Sequence, residues 1–336
     1  MSVPLLSVIV PVFNESQVIG IFYDRATRAL AAIPGVTYEL IFVDDGSSDD
    51  SYQQLTAFAR GDAHVGVVRF SRNFGHQIAI TAGLDLARGD CLAVIDADLQ
   101  DPPEVIGEMV EQWRAGADVV YGVRSDRDGE GRMKLLTASL FYRLLNVITK
   151  VQIPVDVGDF RLLSRRAADH LRQLREHDRF VRGLVSWIGF RQVGLPYRRD
   201  RRHAGETKYP YRKMLKFAAD GITSFSAMPL KLATWMGYAA SGLAFLYLGS
   251  VFVQKMLGYT VEGWATIMVA VLFLGGVQLI GLGIIGEYIG RIYTESKGRP
   301  LYIVDEVIGL PGRDDRTAAS AATPGTQPSI PVAHGR

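Results

Sequence analysis

Two aspartates that are one residue apart, Asp96 and Asp98, follow a short apolar run that begins at Cys91. Side chains two positions apart on a strand face the same way, so both carboxylates can reach one point where the strand bends into a loop. Hard divalent cations prefer oxygen ligands, and magnesium commonly takes one or two carboxylates together with phosphate oxygens. We expect Gln100 to supply a further or an indirect ligand. We therefore predict that Asp96, Asp98 and Gln100 hold Mg²⁺ or Mn²⁺ against a diphosphate.

A pair of aspartates alone is weak evidence, because exposed loops carry many such pairs. The elements around this pair decide its interpretation. Before Arg124 the chain alternates between apolar strand candidates and helix-like stretches. The strand candidates are 5–13, 38–44, 65–70, 91–96 and 118–123, and the helix candidates are 15–32, 48–60, 75–88 and 103–115. This alternation predicts an α/β domain with a mostly parallel sheet that is covered on both faces.

Polar sequences follow three of the strand candidates, namely "PVFNES", "VDDGSSDD" and "DADLQD". In open α/β sheets, ligands bind outside the carboxyl ends of the strands. The sequence therefore predicts that the chemistry collects at that one edge of the sheet.

Two long runs without a charged residue occupy 232–254 and 263–286 of the 336-residue chain. A helix of about 20 apolar residues crosses a bilayer core, so both runs qualify as membrane spans. The alternative, a pair of helices buried in a soluble core, is disfavoured because two such runs in tandem are rare in soluble chains. Lys and Arg are concentrated before the first run and after the second, which predicts a hairpin with both flanks in the cytoplasm.

Two further stretches, 133–150 and 209–231, combine apolar residues at helical spacing with basic residues. A basic amphipathic helix beside a span suits the membrane surface. We favour this interpretation for 209–231, whereas 133–150 fits a packed domain helix equally well. The tail from residue 312 is rich in Ala, Thr, Pro, Gly and Ser, which predicts disorder. The single cysteine, Cys91, excludes an intrachain disulfide and favours a reducing compartment.

The ordered motifs resemble a known family. They are "SVIVPVFNES", "IFVDDGSSDDS", "RNFGHQIAITAGLDLARGD", "DADLQDPPE", "YGVR" and "DVGDFRLLSRRA". The chain from residue 7 to about 303 resembles the family-two inverting glycosyltransferases of GT-A fold. Within that family it resembles the polyprenyl-phosphate glycosyltransferases, which include dolichyl-phosphate mannose synthase-like enzymes and bacterial undecaprenyl-phosphate glucosyltransferases. The resemblance implies an α/β GT-A (Rossmann-like) cytoplasmic domain, followed by amphipathic interface helices and two C-terminal transmembrane helices.

The resemblance also implies roles for residues on the nucleotide side. Pro11, Phe13 and Glu15 match an element that contacts the base and ribose. Phe13 stands where many relatives have Tyr, so a hydroxyl contact is absent there. Asp44 and Asp45 match the "DDGS" element, in which one aspartate holds the uracil or guanine side of the donor.

Other matching residues concern the reaction itself. Arg124 matches an arginine near the donor diphosphate, and Asp159 matches a catalytic-site aspartate. Without the resemblance, a helix-cap or turn residue is the less favoured alternative for Asp159, and Asp156 is a weaker competitor for its role. Arg202 and Lys208 match an element that grips the acceptor phosphate, which agrees with the cations that an anionic lipid headgroup needs.

Two tempting motifs receive structural interpretations. His76, in "RNFGHQ", is expected to pack under the site as a helix-start residue rather than to act as a ligand. The string "GLGIIG" at 281–286 fits the dinucleotide fingerprint but lies inside the second apolar run, without a preceding strand. Its glycines are expected to permit close helix packing.

The resemblance and the charge pattern together predict five segments. These are a GT-A domain at 1–208, an amphipathic juxtamembrane helix at 209–231, a transmembrane hairpin at 232–290 (spans about 232–254 and 263–287), a cytoplasmic segment at 291–311 and a disordered tail at 312–336.

The implied enzyme is a metal-dependent, inverting hexosyltransferase of the bacterial inner membrane, with its catalytic domain and both termini in the cytoplasm. It would transfer glucose from a UDP-sugar to polyprenyl phosphate and leave a β-linked lipid product for later cell-envelope glycosylation, such as O-antigen modification. The expected partners are UDP-glucose, polyprenyl phosphate and the lipid bilayer, with no nucleic acid; a homo-oligomer stays open.

Other functions are weighed against this one. A polyprenyl-phosphate mannose synthase using GDP-mannose and a non-catalytic, membrane-anchored nucleotide-sugar-binding protein remain alternatives. A processive polysaccharide synthase is disfavoured because the chain lacks a Q-x-x-R-W string and has few spans. A nucleotidyltransferase is disfavoured because its glycine- and arginine-rich N-terminal loop is missing.

Overall fold

The computed structural model describes residues 3–125, 157–200, 228–259 and 263–310. The chain divides into two units by its internal contacts. The sheet unit comprises Met1–Gly131, Ile153–Lys208 and Gly298–Arg336, and the helical unit comprises Arg132–Gln152 and Tyr209–Lys297.

The sheet unit is built on one eight-stranded sheet in the order β7-β5-β6-β4-β1-β2-β3-β8. Its strands are β1 (Leu5–Val12), β2 (Thr37–Asp44), β3 (Val65–Phe70), β4 (Cys91–Val94), β5 (Val119–Arg124), β6 (Val157–Ser164), β7 (Gln192–Tyr197) and β8 (Val304–Ile308). Strands β4, β1, β2 and β3 run parallel, as do β5 and β7, whereas β6 and β8 are antiparallel to their neighbours. The predicted mostly parallel α/β sheet is confirmed.

Six helices of the sheet unit lie in its described part. They are α1 (Ile19–Ala31), α2 (Ser51–Gly61), α3 (His76–Leu86), α4 (Val105–Arg114), α5 (Arg165–Gln173) and α6 (Val181–Trp187). Helix α1 buries Ile19, Phe22, Ala26 and Leu30. These residues are three to four positions apart, which is the spacing of one helical face.

The central strands are buried along almost their whole length, as expected where helices cover both faces of a parallel sheet. Their apolar side chains and those of the helices form one core. Because β1, β2 and β4 run in the same direction, their carboxyl ends share one edge, and the polar loops that follow them are brought together there.

Strand β8 was not predicted from the sequence. It lies at the edge of the sheet, antiparallel to β3, with Arg69 opposite Glu306. Just before it, the Ile303 carbonyl accepts a hydrogen bond from the Ser71 amide at 3.1 Å. The residues that follow the second long helix therefore belong to the same sheet as the N-terminal strands.

The described part of the helical unit consists of α7 (Met228–Met256) and α8 (Trp264–Ser296). Both are candidate membrane spans, with mean hydropathy of 1.5 for Met228–Met256 and 2.2 for Val269–Ser296. Only 6% and 0% of these spans are buried, so large side chains such as Phe245 and Leu246 are exposed. A helix from a soluble core would instead be covered by protein.

The predicted span 232–254 lies within α7, and the predicted span 263–287 lies within α8 except for its first residue, Gly263, which caps that helix. The predicted helix at 133–150 and the tail at 312–336 lie outside the described residues, as does 209–231 except for its last four residues, which begin α7.

Candidate active site

The loop that carries the paired aspartates begins directly after β4. Leu99 has a φ of 61°, which is uncommon for a residue other than glycine, and its side chain is almost fully buried. Such a left-handed conformation costs about 1–3 kcal/mol and persists where the surroundings impose it. The buried side chain provides that constraint. The turn at Leu99 lets the Gln100 amide donate a hydrogen bond to Asp98 Oδ1 at 3.1 Å.

The first of these aspartates, Asp96, has a buried carboxylate oxygen whose hydrogen-bonding capacity is not satisfied by the described part of the chain. Within the described residues, Asp96 Oδ1 accepts no hydrogen bond. Burial raises the pKa of Asp96 to about 6, a shift that the nearby His76 partly opposes. A buried carboxylate oxygen that lacks a hydrogen bond is costly unless a cation or another donor is supplied.

The third aspartate of the loop, Asp101, is almost fully buried and has a different task. Its Oδ1 accepts a hydrogen bond of 2.5 Å from the hydroxyl of Tyr197 at the end of β7. The Gln100 carbonyl accepts another, at 2.9 Å, from the Asp200 amide. These contacts hold the loop against the chain segment that follows β7.

Asp159 lies within β6, which pairs with β4 and so brings this side chain to the same edge. Its carboxylate receives two hydrogen bonds from Arg182, at 2.9 and 3.2 Å, and one from Gln77 Nε2 at 3.2 Å. Burial alone would raise the pKa of Asp159, but Arg182, His76 and Arg161 outweigh it and hold the pKa well below its usual range. Asp159 is therefore a buried, ionised group and a weak proton acceptor.

His76 lies between the two acidic centres, which differs from the expectation that it packs beneath the site. Its Nε2 is 3.5 Å from Asp96 Oδ1 and 3.4 Å from Asp159 Oδ2. Burial lowers the pKa of His76, but the neighbouring Asp159 and Asp96 outweigh that effect and raise it above its ordinary value. Sequence reasoning placed His76 at a helix start and missed that this start lies at the polar edge, where the imidazole ring meets two carboxylates.

The loops after β1 and β2 are joined through Asn14 and Ser47. Asn14, with a φ of 56°, donates its amide to Ser47 Oγ at 3.0 Å, and its side chain accepts the Ser48 amide at 2.8 Å. Pro11 is buried in β1, whereas Phe13 just beyond it is 46% exposed. The Glu15 amide donates a hydrogen bond to Ser51 Oγ, at the start of α2, at 2.8 Å. An exposed aromatic ring at this edge can stack on a planar ligand.

Both aspartates of the "DDGS" element are buried and bound internally. Asp44 accepts the Ser47 amide at 3.3 Å. Asp45 accepts the amides of Phe74 and Gly75 at 2.6 and 2.9 Å. Burial raises the pKa of each carboxyl, and these amide hydrogen bonds oppose the shift. The contacts show that Asp45 shapes the neighbouring loop; a direct contact of either aspartate with a base stays a prediction.

Arg124 ends β5 and lies beside Gly158. A Cβ atom at Gly158 would be 2.9 Å from a terminal nitrogen of Arg124, so the glycine leaves room for the guanidinium group. The buried Arg124 Nε makes no hydrogen bond within the described part of the chain. The acceptor residues predicted from the sequence, Arg202 and Lys208, and the competitor Asp156 lie outside the described residues.

Residues 7–172 match the family described as Glycosyl transferase family 2, and residues 228–292 match the GtrB C-terminal hairpin. The chain is 52% identical to "Uncharacterized glycosyltransferase YkcC" of Bacillus subtilis (strain 168), over 90% of this chain and 94% of that protein. It is 44% identical to "Bactoprenol glucosyl transferase" of Shigella phage SfV, over 89% of this chain and 97% of that protein.

A solved structure is also similar: glucosyl-3-phosphoglycerate synthase from Mycobacterium tuberculosis in complex with Mn²⁺, UDP-glucose and phosphoglyceric acid, at 22% identity and a TM-score of 0.43 over 64% of this chain and 76% of that one. From the sequence relatives, the chain belongs to glycosyl transferase family 2. The family resemblance noted in the motifs is thereby confirmed.

Proposed function

We propose that this chain transfers glucose from UDP-glucose to a polyprenyl phosphate, with inversion, at the cytoplasmic face of a bacterial membrane. The observation that carries the proposal is the 44% identity to a bactoprenol glucosyl transferase over 89% of this chain and 97% of the relative. A similarity of that extent includes both the sheet unit and the hairpin, which suits a soluble donor and a lipid acceptor.

The residues present fit a divalent cation at the loop after β4. Asp96 and Asp98 supply carboxylate oxygens, and the buried Asp96 Oδ1 accepts no hydrogen bond within the described residues. Mg²⁺ and Mn²⁺ suit such oxygen donors. Gln100 adds an amide oxygen nearby in sequence. When bound, the cation neutralises the charge that develops on the departing diphosphate.

The reaction exchanges one bond for another at the anomeric carbon. An oxygen of the lipid phosphate forms a bond to that carbon as the bond to the donor diphosphate breaks, and the electron pair leaves with UDP. The acceptor is an anion at neutral pH and needs little deprotonation. Asp159, which is ionised and held by Arg182, therefore positions groups of the site rather than removing a proton. Arg124 stabilises the departing diphosphate.

Membranes containing the chain test this proposal when they are incubated with a panel of radiolabelled UDP- and GDP-sugars and extracted for lipid. We expect label from UDP-glucose in a polyprenyl-phosphate product. Lipid labelled by GDP-mannose alone would show that the proposed donor is wrong and that the chain is a mannose synthase. Nucleotide-sugar binding without any labelled lipid would instead indicate a non-catalytic binding protein.

We further infer that both ends of the helical hairpin lie in the cytoplasm. The chain enters α7 from the sheet unit and, after α8, returns to it as β8. A folded sheet cannot be divided by a bilayer, so two intervening spans must leave and re-enter on one side. The basic flanks favour the cytoplasm as that side.

Cysteine labelling in intact cells gives a direct prediction. The native Cys91 is fully buried, and burial raises the pKa of its thiol to about 12, so the background reaction is low. Tyr259, between the helices, and Val3, in the sheet unit, are both exposed. With a membrane-impermeant maleimide, we expect Tyr259→Cys to be labelled at once and Val3→Cys only after permeabilisation. The reverse pattern would overturn the orientation.

The acceptor side gives another prediction. We propose that Arg202 and Lys208 grip the lipid phosphate through charge-assisted contacts, which contribute roughly 1.5–3 kcal/mol each. Lys208→Ala should then raise the KM for polyprenyl phosphate by about one to two orders of magnitude, while UDP affinity measured by calorimetry stays near that of the unaltered chain. Asp44→Ala serves as the opposite case and should weaken UDP. Loss of UDP binding in Lys208→Ala would assign the basic segment to the donor.

A further inference from the structure

We propose that Tyr302, in the segment that joins α8 to β8, is a positioning residue for the donor nucleotide. Its effect is transmitted through the loop 71–75, which we call the β3 loop. The inference rests on the proposed function insofar as the nucleotide binds at the loops after β1 and β2. It gives the C-terminal segment a part in donor binding, although this segment lies far along the chain from every nucleotide-binding residue predicted above.

The first step is a continuous aromatic contact. The Tyr302 ring stacks on Phe70 with centroids 5.2 Å apart and an interplanar angle of 18°. Phe70, the fully buried last residue of β3, meets the edge of Phe74 at 5.6 Å and 84°. Stacked and edge-to-face arrangements at these separations are favourable geometries. Phe74 belongs to the β3 loop, so Tyr302 supports that loop through one intervening ring.

The second step fixes Tyr302 itself. Its hydroxyl donates to Asp85 Oδ2 at 2.9 Å, and the neighbouring Ile303 carbonyl accepts the Ser71 amide at 3.1 Å. Further back, the Arg299 carbonyl lies 2.9 Å from His177 Nε2. The segment is thus held at three points before β8 begins, which makes it a firm support rather than a loose connection.

The third step joins the β3 loop to the nucleotide side. Asp45 accepts the amides of Phe74 and Gly75 at 2.6 and 2.9 Å. The loop also lies so close to Gly46 that a Cβ atom there would be 2.7 Å from the Arg72 carbonyl carbon. Gly46 has a φ of 72°, a left-handed conformation that glycine adopts without the steric cost that other residues incur. A shift of the β3 loop must displace the "DDGS" turn.

The far end of the β3 loop leads into the reaction centre. Gly75 is followed by His76, which contacts Asp96 and Asp159, and by Gln77, which donates to Asp159 at 3.2 Å. On one side, the β3 loop packs against Phe70, which Tyr302 covers. On the other side, it is hydrogen-bonded to the "DDGS" turn and leads directly into the residues that contact Asp159. The "DDGS" turn is bonded to the β3 loop itself, whereas Asp159 is bonded to residues that follow the loop. We therefore expect a change at Tyr302 to alter the donor affinity more than the catalytic step.

The test compares the UDP affinity and the donor KM of variants at Tyr302 with those of a control variant at Tyr52. Tyr302→Leu removes the stacked ring, whereas Tyr302→Phe keeps the ring and loses only the hydroxyl contact with Asp85. Tyr52→Phe is the matched control, because Tyr52 donates to Glu306 of β8 and has no part in the aromatic contact. We expect Tyr302→Leu to weaken UDP binding and raise the donor KM about threefold to tenfold, the size that loss of one aromatic pair allows. The acceptor KM should not change.

The other variants should separate positioning from general stability. Tyr302→Phe should bind UDP within about twofold of the unaltered chain, and Tyr52→Phe should lower the melting temperature without changing UDP affinity. Phe74→Leu breaks the same contact from the loop side and should reproduce the Tyr302→Leu effect, even if Tyr302→Leu itself does not fold. Unchanged UDP affinity in Phe74→Leu, or an equal loss in Tyr52→Phe, would overturn the inference.

The outcome is distinguishable from failure of the proposed function. If the unaltered chain binds GDP and not UDP, the proposed donor is wrong, and the same comparison with GDP still tests Tyr302. If the chain binds UDP but transfers no glucose to lipid, the proposed reaction fails while the variants still report on donor positioning. A chain that binds neither nucleotide would overturn both.

Discussion

Asp98→Asn should lower kcat by about two to three orders of magnitude, because a cation at a departing diphosphate contributes several kcal/mol to the transition state. The change keeps the size of the side chain, and asparagine can still accept the Gln100 amide that Asp98 accepts at 3.1 Å. The loop should therefore keep its shape and lose one ligand charge. The measurement is the initial rate as a function of Mg²⁺ and Mn²⁺ concentration.

The matched control for this experiment is Asp24→Asn on the exposed side of α1. It removes the same charge from the same sheet unit and should keep both kcat and the metal response. Asp98→Asn with an unaltered, metal-dependent turnover would remove Asp98 from the metal site. The same result for Asp96→Asn as well would remove the metal assignment of the whole loop.

Asp159→Asn should be the second damaging change. The carboxylate holds Arg182 with two hydrogen bonds and lies near the buried Arg161, so its neutralisation leaves two cations without their shared counter-charge. Breaking a buried pair from one side costs about 3–5 kcal/mol of stability. Displacement of Arg182 and His76 should reduce kcat by about 100-fold or more. Thermal unfolding and initial rates measure the two effects separately.

Asp118→Asn provides the comparison, since Asp118 also binds an arginine through two hydrogen bonds, at 3.2 and 2.6 Å. The side chain of that partner, Arg166, is 64% exposed, so the pair should contribute only about 0–1 kcal/mol. Asp118 precedes β5, at the strand's start rather than at the polar carboxyl end, and kcat should be unchanged. An unchanged kcat of Asp159→Asn, measured at a temperature at which the variant is still folded, would show that Asp159 matters for stability alone.

The position of the site was predictable because it follows from strand direction. Residues after β1, β2 and β4 carry the polar sequences, and parallel strands bring their carboxyl ends to one edge. Asp44, Asp45 and Asp96 could therefore be placed near one another without coordinates. Their individual ligands stay predictions, since sequence order gives the edge at which a side chain lies and not the partner that it contacts.

The contacts that connect the acidic groups could not be predicted in the same way. His76 and Gln77 begin α3, whereas Arg182 lies in α6, and these side chains meet Asp159 only because α3, β6 and α6 pack together. A lone histidine in "RNFGHQ" carries no signal for a distant carboxylate. Its charge and role depend on the burial and the neighbours that packing supplies.

The sequence by itself determined the sheet type, the two apolar helices and the polar edge, because these depend on local hydrophobic period, on run length and on strand direction. Only the tertiary structure decided where the chain goes after α8. Residues 304–308 form a short strand whose exposed and half-buried positions give little periodic signal. Its place at the edge of the sheet depends on hydrogen bonds to β3, more than two hundred residues earlier, and such long-range pairing is not encoded in any local window.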